Sequence, residues 1–93
     1  MKIKLSEKFK YELNDIVIYI SRDKPLAARK FKNELVENLK KDLLNPFHFK
    51  KSIYFDDESY RDYVFKGYTT TIKIDMEKEI VYVIGILKYR NSF

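Results

Sequence analysis

Residues 60–75 read "YRDYVFKGYTTTIKID", and the fold turns on how they pair. β-Branched and aromatic residues crowd both sides of Lys66-Gly67, a composition that favours strands. A dipeptide ending in glycine between two such runs makes a tight hairpin turn, because glycine takes positive φ without steric penalty. Two strands are therefore expected, over 60–65 and 68–75. Side chains alternate between faces along a strand. Arg61, Tyr63 and Phe65 share one face of the first strand, and Tyr60, Asp62 and Val64 the other. In the second strand Tyr68, Thr70, Ile72 and Ile74 form the apolar face. Thr69, Thr71, Lys73 and Asp75 are expected to face solvent, and Arg61 to face out beside Tyr63.

Downstream, "MEKE" (76–79) makes a second turn and "EIVYVIGIL" (79–87) a strand apolar on both sides, as suits the centre of a sheet. Upstream, "DDES" (56–59) is a polar turn and "KSIYF" (51–55) a weak strand. The periodicity changes before Pro46. Ala28, Phe31, Leu35, Leu39 and Leu43 recur at helical spacing to about residue 44, where Asn45-Pro46 stops the helix. Pro25 suits its first turn, with Asp23 as a capping residue. Phe9, Leu13, Ile16, Val17 and Ile20 mark an earlier helix over about 7–21, capped by Ser6 and carrying Glu7 in its first turn. Joined by "SRDKP", the two helices form an antiparallel hairpin. "KIKL" (2–5) is a short alternating strand. The expected class is α+β, in the order β-α-α-β-β-β: an N-terminal strand, a helical hairpin, then a twisted antiparallel sheet. One domain spanning residues 1–93 accommodates all of it.

Composition narrows the chemistry. The chain has no cysteine, so disulfides and thiolate sites are excluded. No apolar run reaches signal-peptide or membrane-spanning length, and a cytoplasmic protein is expected. Formal charge is +5, unevenly placed: residues 1–51 hold thirteen Lys/Arg against seven Asp/Glu, and residues 52–93 six against seven. The basic half, ending in Lys40-Lys41 and Lys50-Lys51, favours acidic or polyanionic partners. His48 is the sole histidine and sits in a loop without an acid–hydroxyl partner set. "DDE" (56–58) suits a turn better than a magnesium site, and the glycines, Gly67 and Gly85, make no phosphate loop. No metal and no cofactor are expected. Arginine, lysine and tyrosine at Arg61, Tyr63, Lys88, Tyr89 and Arg90 would suit an RNA surface, since a guanidinium grips phosphate bidentately and a phenol stacks on bases.

Taken together, "ELNDIVIYI", "LAARKFKNEL", the following "NP", the 60–75 hairpin and "IVYVIGILKYRN" resemble the RelE/ParE superfamily of bacterial toxins from type II toxin–antitoxin systems, over residues 3–91. The resemblance implies a small twisted sheet against an α-hairpin. It implies a cognate antitoxin whose disordered segment folds on the toxin; the basic first half predicts that this segment is acidic, lies along the α-hairpin and adds a strand to a sheet edge. It also implies one of two targets, DNA gyrase for ParE-like members or mRNA on the ribosome for RelE-like endoribonucleases. Carried over by position, the nuclease set keeps Arg61, Lys88 and Arg90, with Tyr63 and Tyr89 as acid–base candidates; Lys50 and Lys51 extend a nucleic-acid surface. Thr69 stands where a nuclease would place arginine, and Tyr63 replaces a further basic residue. Those departures tilt the expectation toward a ParE-like toxin. An mRNA endonuclease and a non-toxic basic nucleic-acid-binding module remain the alternatives.

Overall fold

The computed structural model describes residues 1–88. In chain order these form β1 (Lys2–Leu5), α1 (Glu7–Ser21), α2 (Pro25–Asp42), a 3-10 turn (Pro46–His48), β2 (Lys50–Lys51), β3 (Tyr60–Phe65), β4 (Tyr68–Asp75) and β5 (Ile80–Lys88). The sheet runs β1-β5-β4-β3-β2, and the helical hairpin covers one of its faces. Pairing is antiparallel except between β1 and β5, which are parallel. The sheet is thus mixed, because α1 and α2 carry the chain back across the sheet before the remaining strands form.

Local signals account for most boundaries. Ser6 caps α1, its Oγ accepting from Phe9 N at 3.0 Å. Pro25 starts α2, but the capping position is Lys24, with no side-chain cap; Asp23 stands one residue too early. α2 ends at Asp42, two residues before the expected stop. Lys66 and Gly67 both have positive φ, 49° and 84°, the geometry of a tight hairpin turn. The weak strand expected over 51–55 shrinks to Lys50–Lys51. Beyond it, side chains take the backbone donors that a ladder would use: Asp62 Oδ2 accepts from Ile53 N at 3.2 Å, and Ser52 Oγ from Tyr54 N at 3.2 Å.

Phe9 and Leu13 of α1 and Phe31, Leu35 and Leu39 of α2 meet Ile72, Val81, Val83 and Ile86 of the sheet in one buried cluster. The sequence did not flag the way β5 is finished. β1 leaves β5 after Leu5, which pairs with Val83, and α1 then takes over the exposed edge. Ser6 N donates to Val83 O at 3.0 Å and Ser6 Oγ to Ile84 O at 2.7 Å. Glu12 Oε1 accepts from Ile86 N at 3.1 Å. The register of β4 on β5 slips here, from Thr71–Gly85 to Ile72–Val83, leaving Ile84 as the extra residue of a bulge. Gly85 permits the approach: a Cβ there would lie 2.7 Å from Glu12 Oε1 and 2.9 Å from Lys8 Nζ.

Gly85→Ala is expected to displace the Glu12 carboxylate and lower stability by about 1–2 kcal/mol in chemical denaturation, the penalty of one unpaired buried amide. In a Glu12→Ala background the same change should be much milder, a coupling that a double-mutant cycle reads directly.

Candidate functional site

The sheet has two unlike faces. The inner face meets the helices and carries Arg61, Tyr63 and Phe65 of β3 opposite Ile72, Thr70 and Tyr68 of β4. The outer face is covered by no helix among the described residues. Across it runs a row of Tyr60, Lys73, Tyr82 and Lys4, and further along a row of Val64, Thr69 and Leu87.

This arrangement reverses the orientation expected for Arg61. It lies on the inner face, half-buried, under the loop that joins α2 to β3. Its Nε donates to Glu58 O at 2.9 Å, and its Nη1 to Phe49 O at 3.0 Å and Phe47 O at 3.4 Å. The guanidinium sits 5.1 Å from the Phe47 ring centre. Arg61 is thus a clasp: one side chain gathers three carbonyls from both arms of the loop. The hairpin turn held the signal, since a turn at Lys66-Gly67 pairs Arg61 with Ile72 and so puts it on the apolar face.

Tyr63 is also turned inward. It is buried, edge-on to Phe49 at 5.1 Å, and its phenol donates to Asp42 Oδ2 at 2.7 Å, tying β3 to the end of α2. Burial, and then the adjacent Asp42 carboxylate, push the phenol well above its ordinary value near 10. A tyrosine so placed keeps its proton at neutral pH and serves the fold.

The remaining sequence candidates do not converge. Lys50 and Lys51 lie on the edge strand β2, exposed, with Lys51 Nζ 3.4 Å from Asp56. Lys88 ends β5, opposite Tyr68, so it belongs to the inner side. There it lines a groove of about 400 Å3 with Asp15 and Tyr19 of α1. β2 and β5 are three strands apart, about 14 Å at the usual strand spacing. Tyr89 and Arg90 lie outside the described residues. Among the described residues no three of His, Asp and Glu come together as metal ligands.

Thr69 and Thr71, expected in solvent, are buried at 3% and 8% exposure. Thr69 lies between Val64 and Leu87, and the 48–54 segment folds over that part of the outer face. Thr71 Oγ1 donates to Asp62 Oδ1 at 3.3 Å, whereas Thr69 Oγ1 is buried with no hydrogen-bond partner among the described residues. Residues that sequence reading left aside, Ile53, Tyr54 and Val64, join Thr69 around a concavity of about 700 Å3, while the Phe49 ring packs on the inner-face Tyr63. Ile53 and Val64 are 82% and 58% exposed. Lys50, Lys51 and Asp62 line the same concavity, so it mixes apolar side chains with both signs of charge.

A family model for the ParE toxin of the type II toxin–antitoxin system parDE matches residues 3–93. The chain belongs to that family. No curated protein sequence matches it. Among solved structures it is similar to a chain of the chromosomal ParDE toxin–antitoxin system from P. aeruginosa, with a TM-score of 0.79 and 14% identity over 97% of both chains. It is also similar to the isolated RelE toxin of E. coli, TM-score 0.56 and 18% identity over 98% of this chain and 86% of that one. An E. coli RelE mutant bound to a peptide of its antitoxin RelB gives a TM-score of 0.52 at 18% identity, over 98% and 84% of the two chains. At such identities the likeness concerns the fold, and it agrees with the β-α-α-β-β-β order read from the sequence.

Two substitutions check the inward roles. Arg61→Lys keeps the charge and loses the fork, and should destabilise the protein by about 2 kcal/mol in urea titration, as for lost hydrogen bonds from a charged donor. Tyr63→Phe should lower stability by about 1–2 kcal/mol. A raised phenol contributes in full below its unfolded value near 10 and loses that contribution as pH rises through the higher native value. The stability gap between wild type and Tyr63→Phe should therefore be constant up to about pH 10 and narrow above it.

Proposed function

We propose that this member of the ParE family inhibits growth by binding a protein target, with DNA gyrase as the target that the superfamily resemblance implies. In that reading it acts in the cytoplasm as one domain spanning residues 1–93 and is held in check by its antitoxin. The observation that carries the proposal is the distribution of the nuclease-type residues. Phosphoryl chemistry on RNA needs cations at the phosphate and an acid and a base within hydrogen-bond reach. Arg61 turns inward with Nε and Nη1 bonded to backbone carbonyls, the Tyr63 phenol is bound to Asp42, and the outer face presents Val64, Thr69 and Leu87 instead. Lys50 and Lys88 stand on different faces of the sheet.

A toxin of this family pairs with an antitoxin, and the charge distribution argues for the chemistry of the neutralising segment. α2 exposes Arg29, Lys30, Lys32, Lys40 and Lys41, partly offset by Glu34, Glu37 and Asp42. Glu34 is already engaged by Lys66, which holds its carboxyl below the usual range. An acidic segment along the exposed side of α2 would meet a surplus of cations, with attraction that salt screens. Among the described residues no helix is long and apolar enough to cross a membrane.

Purified protein added to a gyrase supercoiling assay should inhibit it, and in a translation extract should leave ribosome-bound mRNA uncut. Cleavage of that mRNA, lost on Lys50→Ala or Lys88→Ala, would establish the endonuclease reading instead. Raising salt from about 50 to 500 mM should weaken antitoxin binding by more than tenfold, provided an acidic segment carries the contact.

A further inference from the structure

We infer that the chain binds a soft monovalent cation of the Cu(I) class between the thioethers of Met1 and Met76 and the imidazole of His48. The site stands apart from the surfaces described above and does not depend on what the toxin targets.

Its donors are the whole stock of soft side chains that the sequence possesses. There are two methionines, one histidine and no cysteine. Far apart in the chain, all three line one concavity of about 240 Å3, with Leu44, Pro46 and Phe47 among its walls. Thiolates, carboxylates and a lone imidazole give no reason to expect a metal; two thioethers brought to the same place do.

Three segments deliver the donors, and each is held by its backbone. Lys2 N donates to Glu79 O at 3.0 Å, which sets Met1 beside the turn after β4. Glu79 N donates to Met76 O at 3.3 Å and closes that turn. His48 N donates to Asn45 O at 3.1 Å in the 3-10 turn, where Arg61 also holds the Phe47 carbonyl. The side chains themselves are not committed to packing. Met1 and Met76 are 43% and 59% exposed and stand outside the buried cluster, and His48 is exposed. A methionine side chain is unbranched, with three rotatable bonds. Both sulfurs can therefore close on an ion without repacking the core.

The donor set selects the ion. Thioether sulfur is neutral and soft, and it suits Cu(I). Calcium and magnesium take several oxygens, whereas among the described residues this lining has no carboxylate and offers the Asn45 amide. Zinc sites draw on thiolates or several imidazoles, and the chain has one imidazole. The walls are largely apolar. Stripping water from an ion in such surroundings costs less for one charge than for two.

The test uses the full chain, with Met1 confirmed by mass, carrying 13C at the methionine methyls and 15N throughout. It is titrated with silver nitrate in chloride-free buffer, Ag(I) serving as the redox-inert probe, and separately with Zn(II). Both methyl signals and the His48 ring nitrogens should shift together and saturate at one equivalent of Ag(I), with no such shifts from Zn(II). Cu(I), competed anaerobically against a chromogenic chelator, should bind the same site. Met76→Leu keeps the apolar bulk and removes the sulfur, and His48→Gln removes the imidazole. Each should weaken Ag(I) and Cu(I) binding by about tenfold or more while the amide spectrum elsewhere stays in place. Unchanged affinity in Met76→Leu, movement of one methyl alone, saturation of the same signals by Zn(II), or no shift at millimolar Ag(I) would each overturn the inference.

Discussion

An unfinished edge of β5 organises the molecule. The strand is nine residues long and β1 covers only its first half, so the remaining backbone groups need partners from elsewhere. α1 provides them through Ser6 and Glu12, on either side of a bulge at Ile84. Ser6 caps the helix and holds the strand with the same hydroxyl, which fixes where α1 begins relative to the sheet. With α1 set, Phe9 and Leu13 fall onto Val81 and Val83, and α2 closes the layer with Phe31 and Leu35. Gly85 is what lets helix and strand come this close.

The same geometry divides the polar residues by task. Tyr63 and Arg61 stand on the helix side of β3, and both bind the segment between α2 and β3: Tyr63 at Asp42, Arg61 at Phe47, Phe49 and Glu58. They secure the long connection that shapes the outer face. Residue types suited to phosphate binding or proton transfer are thereby used for support, through Nε and Nη1 of Arg61 and the phenol of Tyr63. The lysines stay in solvent, where they give the surface its charge without converging on one reacting point.

The outer face carries a concavity lined by Ile53, Tyr54 and Val64 together with Lys50, Lys51 and Asp62, on a scaffold whose hydrophobic core lies on the other side of the sheet. A separate groove lies between α1 and the ends of β4 and β5, with Asp15, Tyr19 and Lys88 at its sides.

By itself, the sequence determined the elements and their order. Helical and strand periodicities located α1, β3 and β4 to the residue, because the amphipathic stripe of Phe9, Leu13 and Ile16 and the Lys66-Gly67 turn are local signals. The family was legible for the same reason, as an ordered set of such elements. Which face of β3 meets the helices followed from the register that the Lys66-Gly67 turn sets, and not from the pattern within β3. Both faces mix aromatic and polar residues, so period-2 alternation alone cannot rank them; the cross-strand pairing with Ile72 and Thr70 does. The parallel pairing of β1, the role of Gly85 and the burial of Thr69 each depend on atoms far apart in the chain meeting at a few ångströms. Composition does not encode such contacts locally, and the candidate site is made of them.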